Sequence, residues 1–319
     1  MAREKMAQAV SRRALLRTAL SASALLSSAL GRVAPANAAK YSAADGELEQ
    51  RLLELPQAQG SPHKARLLLP KRITGELPLL ILCHGLGESN DVALGLRAWT
   101  ELYGLLTAVE RLAHPPVERL FPKLNYLPEQ RLLELNRALA EQPLSPCAMV
   151  CPFTPNPYVR GGDSMDRIER FADYVESSLI PAVRKEAPIA KTAAGVGLAG
   201  VSMGGYVALE LAVRRPTSFG RVSSVQGAFG APALGRYTEG LLNAQRTGAL
   251  RDLLLLTSRD DPFRAAHERL ARALSNSTLR HELIVRPGPH NQPWLREVGC
   301  LELLCWNDRA LRSAAPSPT

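Results

Sequence analysis

The sequence predicts an α/β fold, a mostly parallel central sheet covered by helices on both faces. Two observations carry this expectation. Short apolar runs alternate with helix-length amphipathic segments from residue 66 onward, and such alternation builds a parallel sheet with crossover helices. The chain also has 319 residues, of which 46% are hydrophobic and 22% charged, enough to bury one large core.

The elements follow in order. Arg66 to Leu69 is the first clear strand, and residues 39–65 before it are polar and mixed in pattern, a lead-in segment. Leu77 to Cys83 and Met149 to Phe153 are apolar strands, and Asp166 to Glu186 is an amphipathic helix. Val196 to Ala199 is a strand and Met203 to Val213 a helix. Then come strands Arg221 to Gln226 and Leu253 to Thr257, helix Asp261 to Ser275, strand Leu279 to Val285 and helix Pro293 to Asn307. Between residues 88 and 147 lies a stretch too long for a minimal crossover, with helical pieces near Trp99 to Leu112 and Pro128 to Ala140 separated by Pro-rich turns. It reads as a helical insertion or lid, or as an enlarged crossover. The catalytic domain is expected to run from 66 to 312, with an Ala/Pro/Ser tail at 313–319.

Residues 1–38 combine a basic start, an apolar run from Ala14 to Leu30 and the small-residue site Ala36-Asn37-Ala38, the pattern of an export signal. Within it, Ser11-Arg12-Arg13-Ala14-Leu15-Leu16 resembles the twin-arginine signature, which implies a periplasmic or extracellular protein. An ordinary secretory signal and an uncleaved anchor are the alternatives. No later stretch approaches the about 20 apolar residues of a membrane span, so the mature protein is expected to lack a stable span.

The formal charge of +9 is partly an effect of this signal, where six Lys or Arg stand against one Glu, +5, leaving +4 for the remainder. Scattered Arg without a basic block or an aromatic-studded stripe excludes a nucleic-acid partner. The five cysteines, Cys83, Cys147, Cys151, Cys300 and Cys305, do not have zinc-site spacing. Local disulfides (147 to 151, 300 to 305) and buried free thiols both fit an exported protein.

The chemistry centres on Gly200-Val201-Ser202-Met203-Gly204-Gly205, directly after one apolar strand and directly before a helix. A turn this sharp needs Gly on either side of the Ser, and it raises the hydroxyl at the positive end of the helix: a nucleophile elbow, which narrows the class to the α/β-hydrolase fold. Ser202 needs a base, and that fold supplies acid and then His on loops after later strands. Of the six His, only His290, in Pro287-Gly288-Pro289-His290-Asn291, follows a late strand in this way. The strand before it ends at Asp260-Asp261, and one of these is the orienting acid. His84-Gly85-Leu86-Gly87, after the strand ending at Cys83, is placed for oxyanion donation, with the main-chain N–H groups of Leu86 and Met203 as donors. His84 is expected to hold this loop by hydrogen bonding, and Cys83 to be a buried apolar residue.

Ser202-Met203-Gly204-Gly205-Tyr206 with Ala208-Leu209, then Arg215-Pro216 and Phe219, resembles the esterase family that includes esterase D, feruloyl esterases and the antigen 85 mycolyltransferases. The resemblance spans roughly Arg66 to Trp306. It implies acyl transfer through an acyl-serine, no cofactor, a small-molecule acyl ester as substrate, and the roles of nucleophile, acid and base on Ser202, Asp261 and His290. Asp261 is preferred to Asp260 because Asp-Pro-apolar resembles the usual acid loop of related hydrolases. The chain departs from the family in its long segment after Gly87 and in reading Gly-Pro-His for the frequent Gly-Gly-His. Ester hydrolysis is the expected activity. Transfer to an alcohol or amine, peptide cleavage by the same triad, and a catalytically inactive binding module are the alternatives.

Overall fold

The computed structural model describes residues 48–56, 62–159 and 163–314. The export signal, most of the lead-in segment and the last five residues of the tail lie outside the described residues.

The sheet has eight strands: β1 Leu48–Leu55, β2 His63–Pro70, β3 Leu79–Cys83, β4 Ala148–Pro152, β5 Val196–Val201, β6 Arg221–Val225, β7 Asp252–Asp260 and β8 Arg280–Pro289. Their spatial order is β1-β2-β4-β3-β5-β6-β7-β8, with β2 antiparallel to both of its neighbours and every other pairing parallel. Strands β3, β4, β5 and β6 are buried at every position, as parallel strands covered on both faces must be.

The sheet begins at Leu48, not at Arg66: β1 lies inside the stretch that reads as lead-in. It is an edge strand with only Leu53 buried, so Leu-Glu-Gln-Arg-Leu-Leu-Glu-Leu carries too little apolar alternation to signal a strand.

Among the described residues, ten α-helices accompany the sheet: α1 Val92–Arg97, α2 Leu105–Ala113, α3 Glu129–Glu141, α4 Ser164–Tyr174, α5 Ile180–Glu186, α6 Met203–Arg214, α7 Leu234–Arg246, α8 Arg264–Leu274, α9 Gln292–Trp294 and α10 Cys300–Ala314. Alternate strand residues face opposite ways. Leu67, Leu69, Leu79, Ile81 and Leu198 pack beneath α4 to α8. Leu68, Leu80, Leu82 and Ala199 pack beneath the segment between β3 and β4 together with α10.

That segment packs as part of one of the two helical layers and is fastened to the C-terminal helical segments. Arg111 and Glu297, both side chains fully buried, form an ion pair at 3.1 Å, and Glu297 also accepts from the main-chain N–H of Leu120 and of Phe121. Arg131 grips Glu302 with two hydrogen bonds of 2.9 and 2.8 Å, and Arg286 of β8 adds a third at 2.7 Å. Burial raises the Glu302 carboxyl, and the two guanidinium groups outweigh it, leaving the pKa below the usual carboxylate value.

All five cysteines are free thiols, so neither local disulfide forms. Among the described residues, no helix is long and apolar enough to cross a membrane.

Removing one partner of a buried ion pair strands the other charge. Arg111→Met is expected to lower the unfolding free energy by about 3–5 kcal/mol, measured by urea denaturation. An apolar replacement of both Arg111 and Glu297 should cost less than the single change.

Candidate active site

Strands β5, β6, β7 and β8 run parallel side by side, so their carboxyl ends share one edge of the sheet. Ser202 follows β5, Gln226 follows β6, Asp261 follows β7 and His290 follows β8.

Ser202 sits at φ 56°, ψ −118°, a conformation a side-chain-bearing residue adopts only when its surroundings impose it. The imposing contacts are backbone on backbone. A Cβ on Gly200 would lie 2.1 Å from the Gly204 carbonyl oxygen, and one on Gly204 would lie 2.2 Å from that of Cys83. The turn is tied to its neighbours as well. The Ser202 N–H donates to Val225 O at 2.9 Å, and Ser202 O accepts from Ala228 N at 2.8 Å. The hydroxyl does not cap the helix it precedes. Ser202 and the N–H of Met203 thus stand at the start of α6, where the helix field favours negative charge.

Of the two adjacent carboxylates, Asp261 meets the histidine. His290 Nδ1 lies 2.9 Å from Asp261 Oδ1, while Asp260 is exposed at the end of β7. Asp261 is buried and fully hydrogen-bonded, Oδ1 also accepting from Phe263 N at 3.0 Å and Oδ2 from the Thr257 hydroxyl at 2.5 Å. Burial raises its pKa, but the hydrogen bond and charge of His290, the nearby His267 and the Thr257 bond lower it further, so the carboxyl stays below its ordinary value. An ionised Asp261 accepts only, which makes His290 the Nδ1–H tautomer and leaves its Nε2 lone pair available.

A register shift between β7 and β8 near Ser258 and Asp260 gives β8 an extra residue where the acid and the histidine leave the sheet. Gly288 serves this bulge at φ 120°, and a Cβ there would lie 2.6 Å from Trp294 and 2.8 Å from Tyr126. Strand β8 runs on to Pro289, so His290 follows its end directly, closer than an ending at Val285 implies.

The loop after β3 lies against the elbow: a Cβ on Gly85 would be 3.7 Å from that of Ser202. His84 holds it as expected. Its Nε2 accepts from Thr154 N at 2.9 Å, so Nδ1 carries the proton and donates to Gly85 O at 2.9 Å. Burial drives the His84 pKa down to about 4, against a smaller opposing effect of the Gly85 carbonyl. A trans peptide points its C=O and N–H in opposite directions. With Gly85 O turned onto the His84 ring, the Leu86 N–H is directed away from that ring. Cys83 is fully buried and its thiol is pushed up to about 12 by desolvation, which leaves it unreactive.

Two residues here carry no local sequence signal. Gln226, buried and at φ 46°, donates to Ser258 Oγ at 2.6 Å and to Pro289 O at 3.1 Å, joining the ends of β6, β7 and β8. His267, buried in α8, accepts from Gly227 N at 3.1 Å through Nε2 and bonds Phe263 O through Nδ1. A Gln after the short strand Arg-Val-Ser-Ser-Val gives no hint of the first, and nothing in a helical His hints at the second.

This strand order with an elbow after the fifth strand defines the α/β-hydrolase fold. Residues 150–294 match the family model described as Putative esterase, in agreement with the resemblance carried by Ser202 to Phe219. By fold the chain is an α/β-hydrolase, and residues 150–294 are similar to the esterase family. No curated protein matches the sequence. Among solved structures, the chain is similar to S-formylglutathione hydrolase from Staphylococcus aureus, with 16% identity and TM-score 0.53 over 82% of this chain and 96% of that one. It is also similar to the feruloyl esterase module from Clostridium thermocellum, at 16% identity and TM-score 0.53 over 85% and 92% of the respective chains. A ferulic acid esterase from Anaeromyces mucronatus matches at 13% identity and TM-score 0.52 over 83% and 93%.

The buried histidines have a pH consequence. His84 takes up a proton only near pH 4 in the folded state, against 6.5 for its ordinary value, and burial lowers His267 as well. The unfolded chain therefore binds more protons between these limits, so stability is full above the ordinary value and falls as pH drops toward the folded one. Urea denaturation across that range should show a loss on the order of a few kcal/mol in the wild type. The loss should be smaller in His84→Gln.

Proposed function

We propose that this chain hydrolyses carboxylic esters of small molecules through an acyl-serine intermediate, with Ser202 as nucleophile, His290 as base and Asp261 as its orienting acid. One observation carries the reading: the 2.9 Å contact between His290 Nδ1 and a buried, fully hydrogen-bonded Asp261, at the same sheet edge as the strained Ser202.

The reaction follows from these groups. His290 Nε2 takes the Ser202 proton as Oγ attacks the ester carbonyl. Asp261 remains ionised and stabilises the imidazolium. The oxyanion is met by the N–H groups of Met203 and Leu86, fixed dipoles that need no reorganisation when charge develops. As the tetrahedral species collapses, the C–O bond to the alcohol breaks and His290 returns its proton to the leaving oxygen. Water then enters and gives its proton to His290 as its oxygen attacks the acyl carbonyl; the second collapse breaks the bond to Ser202 Oγ, which takes the proton back from His290 as the acid leaves. No step calls on a metal or cofactor.

Export before function is the companion proposal. Arg12-Arg13 ahead of a moderately apolar run supports twin-arginine transport to the periplasm or beyond, and five free thiols suit a protein that folds before it crosses a membrane.

Three experiments test this. A fluorophosphonate probe should label the wild type and not Ser202→Ala, and Asp261→Asn should lower kcat on a p-nitrophenyl acyl ester by about four orders of magnitude with the fold retained. A folded wild type that is neither labelled nor active defeats the enzymatic reading. Lysine in place of both Arg12 and Arg13 should hold the precursor in the cytoplasm on fractionation. Undiminished export would point to the ordinary secretory route instead.

A further inference from the structure

The mechanism uses the loop after β3 but not the two buried polar side chains that grip it. Tyr103, directly after the wide turn at Ala98–Leu102 that continues α1, is 2% exposed. Its hydroxyl accepts from the Gly85 N–H at 3.0 Å and donates to Glu88 Oε2 at 2.5 Å. Glu88 is also buried, and its Oε1 accepts from Gln292 Nε2 at 3.4 Å. A continuous line of hydrogen bonds thus leads from the oxyanion loop, through Tyr103 and Glu88, to a residue two places beyond His290. The line passes close to the nucleophile. A Cβ on Gly85 would lie 3.1 Å from the Tyr103 hydroxyl, 3.3 Å from Glu88 Oε2 and 3.7 Å from Ser202 Cβ.

Tyr103 is itself rigidly held. Leu102 O accepts from Arg296 Nε at 2.7 Å, and Tyr103 O accepts from the Cys300 thiol at 3.2 Å, so the C-terminal layer pins the backbone on both sides. The Trp99 ring packs edge-on at 5.3 Å. Burial, and then the neighbouring Glu88 charge, push the phenol well above its ordinary pKa, which keeps it a donor to Glu88.

We propose that Tyr103 and Glu88 are positioning residues for ester cleavage: they strap the oxyanion loop to the base loop, so that the Leu86 N–H and His290 keep a fixed relation to Ser202. His84 fixes one peptide of the loop from the side of Thr154, and Tyr103 fixes the preceding N–H from the other. Both are needed, because one hydrogen bond leaves a glycine loop free to rotate about its own axis. The enlarged crossover thereby acquires a purpose, which is to deliver the phenol to the site. Small displacements of a dipole meant for the oxyanion reduce transition-state stabilisation more than substrate binding, so the strap acts on kcat.

The inference rests on the acyl-serine reading and is separable from it. Tyr103→Phe, Glu88→Gln and Glu88→Ala are compared with the wild type by steady-state kinetics on a p-nitrophenyl ester, by the rate of fluorophosphonate labelling and by thermal unfolding. Tyr103→Phe should lower kcat and the labelling rate by about ten- to a hundredfold, with KM changed by less than about twofold. Glu88→Gln keeps an acceptor for the phenol and should retain most of kcat, whereas Glu88→Ala should resemble Tyr103→Phe. If Tyr103→Phe does not fold, the two Glu88 variants decide. Variants that label and turn over at the wild-type rate overturn the strap alone, as does equal kcat in Glu88→Gln and Glu88→Ala. A wild type that neither labels nor turns over overturns the acyl-serine reading beneath it.

Discussion

Everything in the site depends on how closely the chain approaches itself at the turn from β5 to α6. Carbonyl oxygens of Gly204 and Cys83 occupy the space that side chains on Gly200 and Gly204 would fill. This contact brings β3, β5 and α6 together at one point and forces Ser202 to φ 56°. Conformational strain of this kind costs on the order of 1–3 kcal/mol and persists only where the surroundings over-determine it. Here they do: the N–H and C=O of Ser202 are bound to β6 and to the loop that follows it. The placing of Ser202 and the nearness of the loop after β3 are thus one structural fact.

From that point the site is assembled by hydrogen bonds between loops, each made by a side chain remote in sequence from its partner. Gln226 joins the loop after β6 to Ser258 and Pro289, His267 receives the Gly227 N–H, and His84 with Thr154 sets the first loop. Loops at a sheet edge have no ladder to fix them, and buried polar side chains supply the missing partners. The two histidines serve this purpose because, neutral, each has one donor and one acceptor in fixed directions. Burial that lowers their pKa values is what keeps them in that state.

Much of this was legible in the sequence, and the limits are physical. The elbow, His290 and the Asp260-Asp261 pair announce themselves through short-range pattern, since a strand, a tight turn and a helix need particular residues at adjacent positions. Strand β1 does not, because an edge strand that buries only Leu53 has little apolar alternation to display. The segment after Gly87 was readable as helical but not as a layer. A single helix over Trp99 to Leu112 is interrupted by Gly104 at φ 77°, and the partners that dock it, Glu297 and Glu302, lie far along the chain. Gln226, His267 and Tyr103 escaped for the same reason: each is defined by what it touches across the fold, and a polar residue within an otherwise ordinary element carries no mark of that contact.

The distribution of charge completes the logic. Several buried full charges of the scaffold are paired: Arg111 with Glu297, Arg131 and Arg286 with Glu302, and Glu210 of α6 with Arg236. A buried charge left alone would be costly, and a buried pair has a nearly closed field that decays within a few ångströms. Around Ser202, by contrast, the loops are held mainly by neutral dipoles, those of His84, His267, Gln226, Thr154 and Tyr103. An unpaired cation there would compete with His290 for Asp261, and an unpaired anion facing the oxyanion would oppose its formation. The two carboxylates that do approach the site are each hydrogen-bonded through both oxygens: Asp261 by His290, Thr257 and Phe263 N, and Glu88 by Tyr103 and Gln292. Strong, short-range charge pairing fixes the layers, while neutral hydrogen bonds fix the loops. That division lets a strongly held scaffold surround a site whose own field, in the proposed reaction, is reserved for the developing charge.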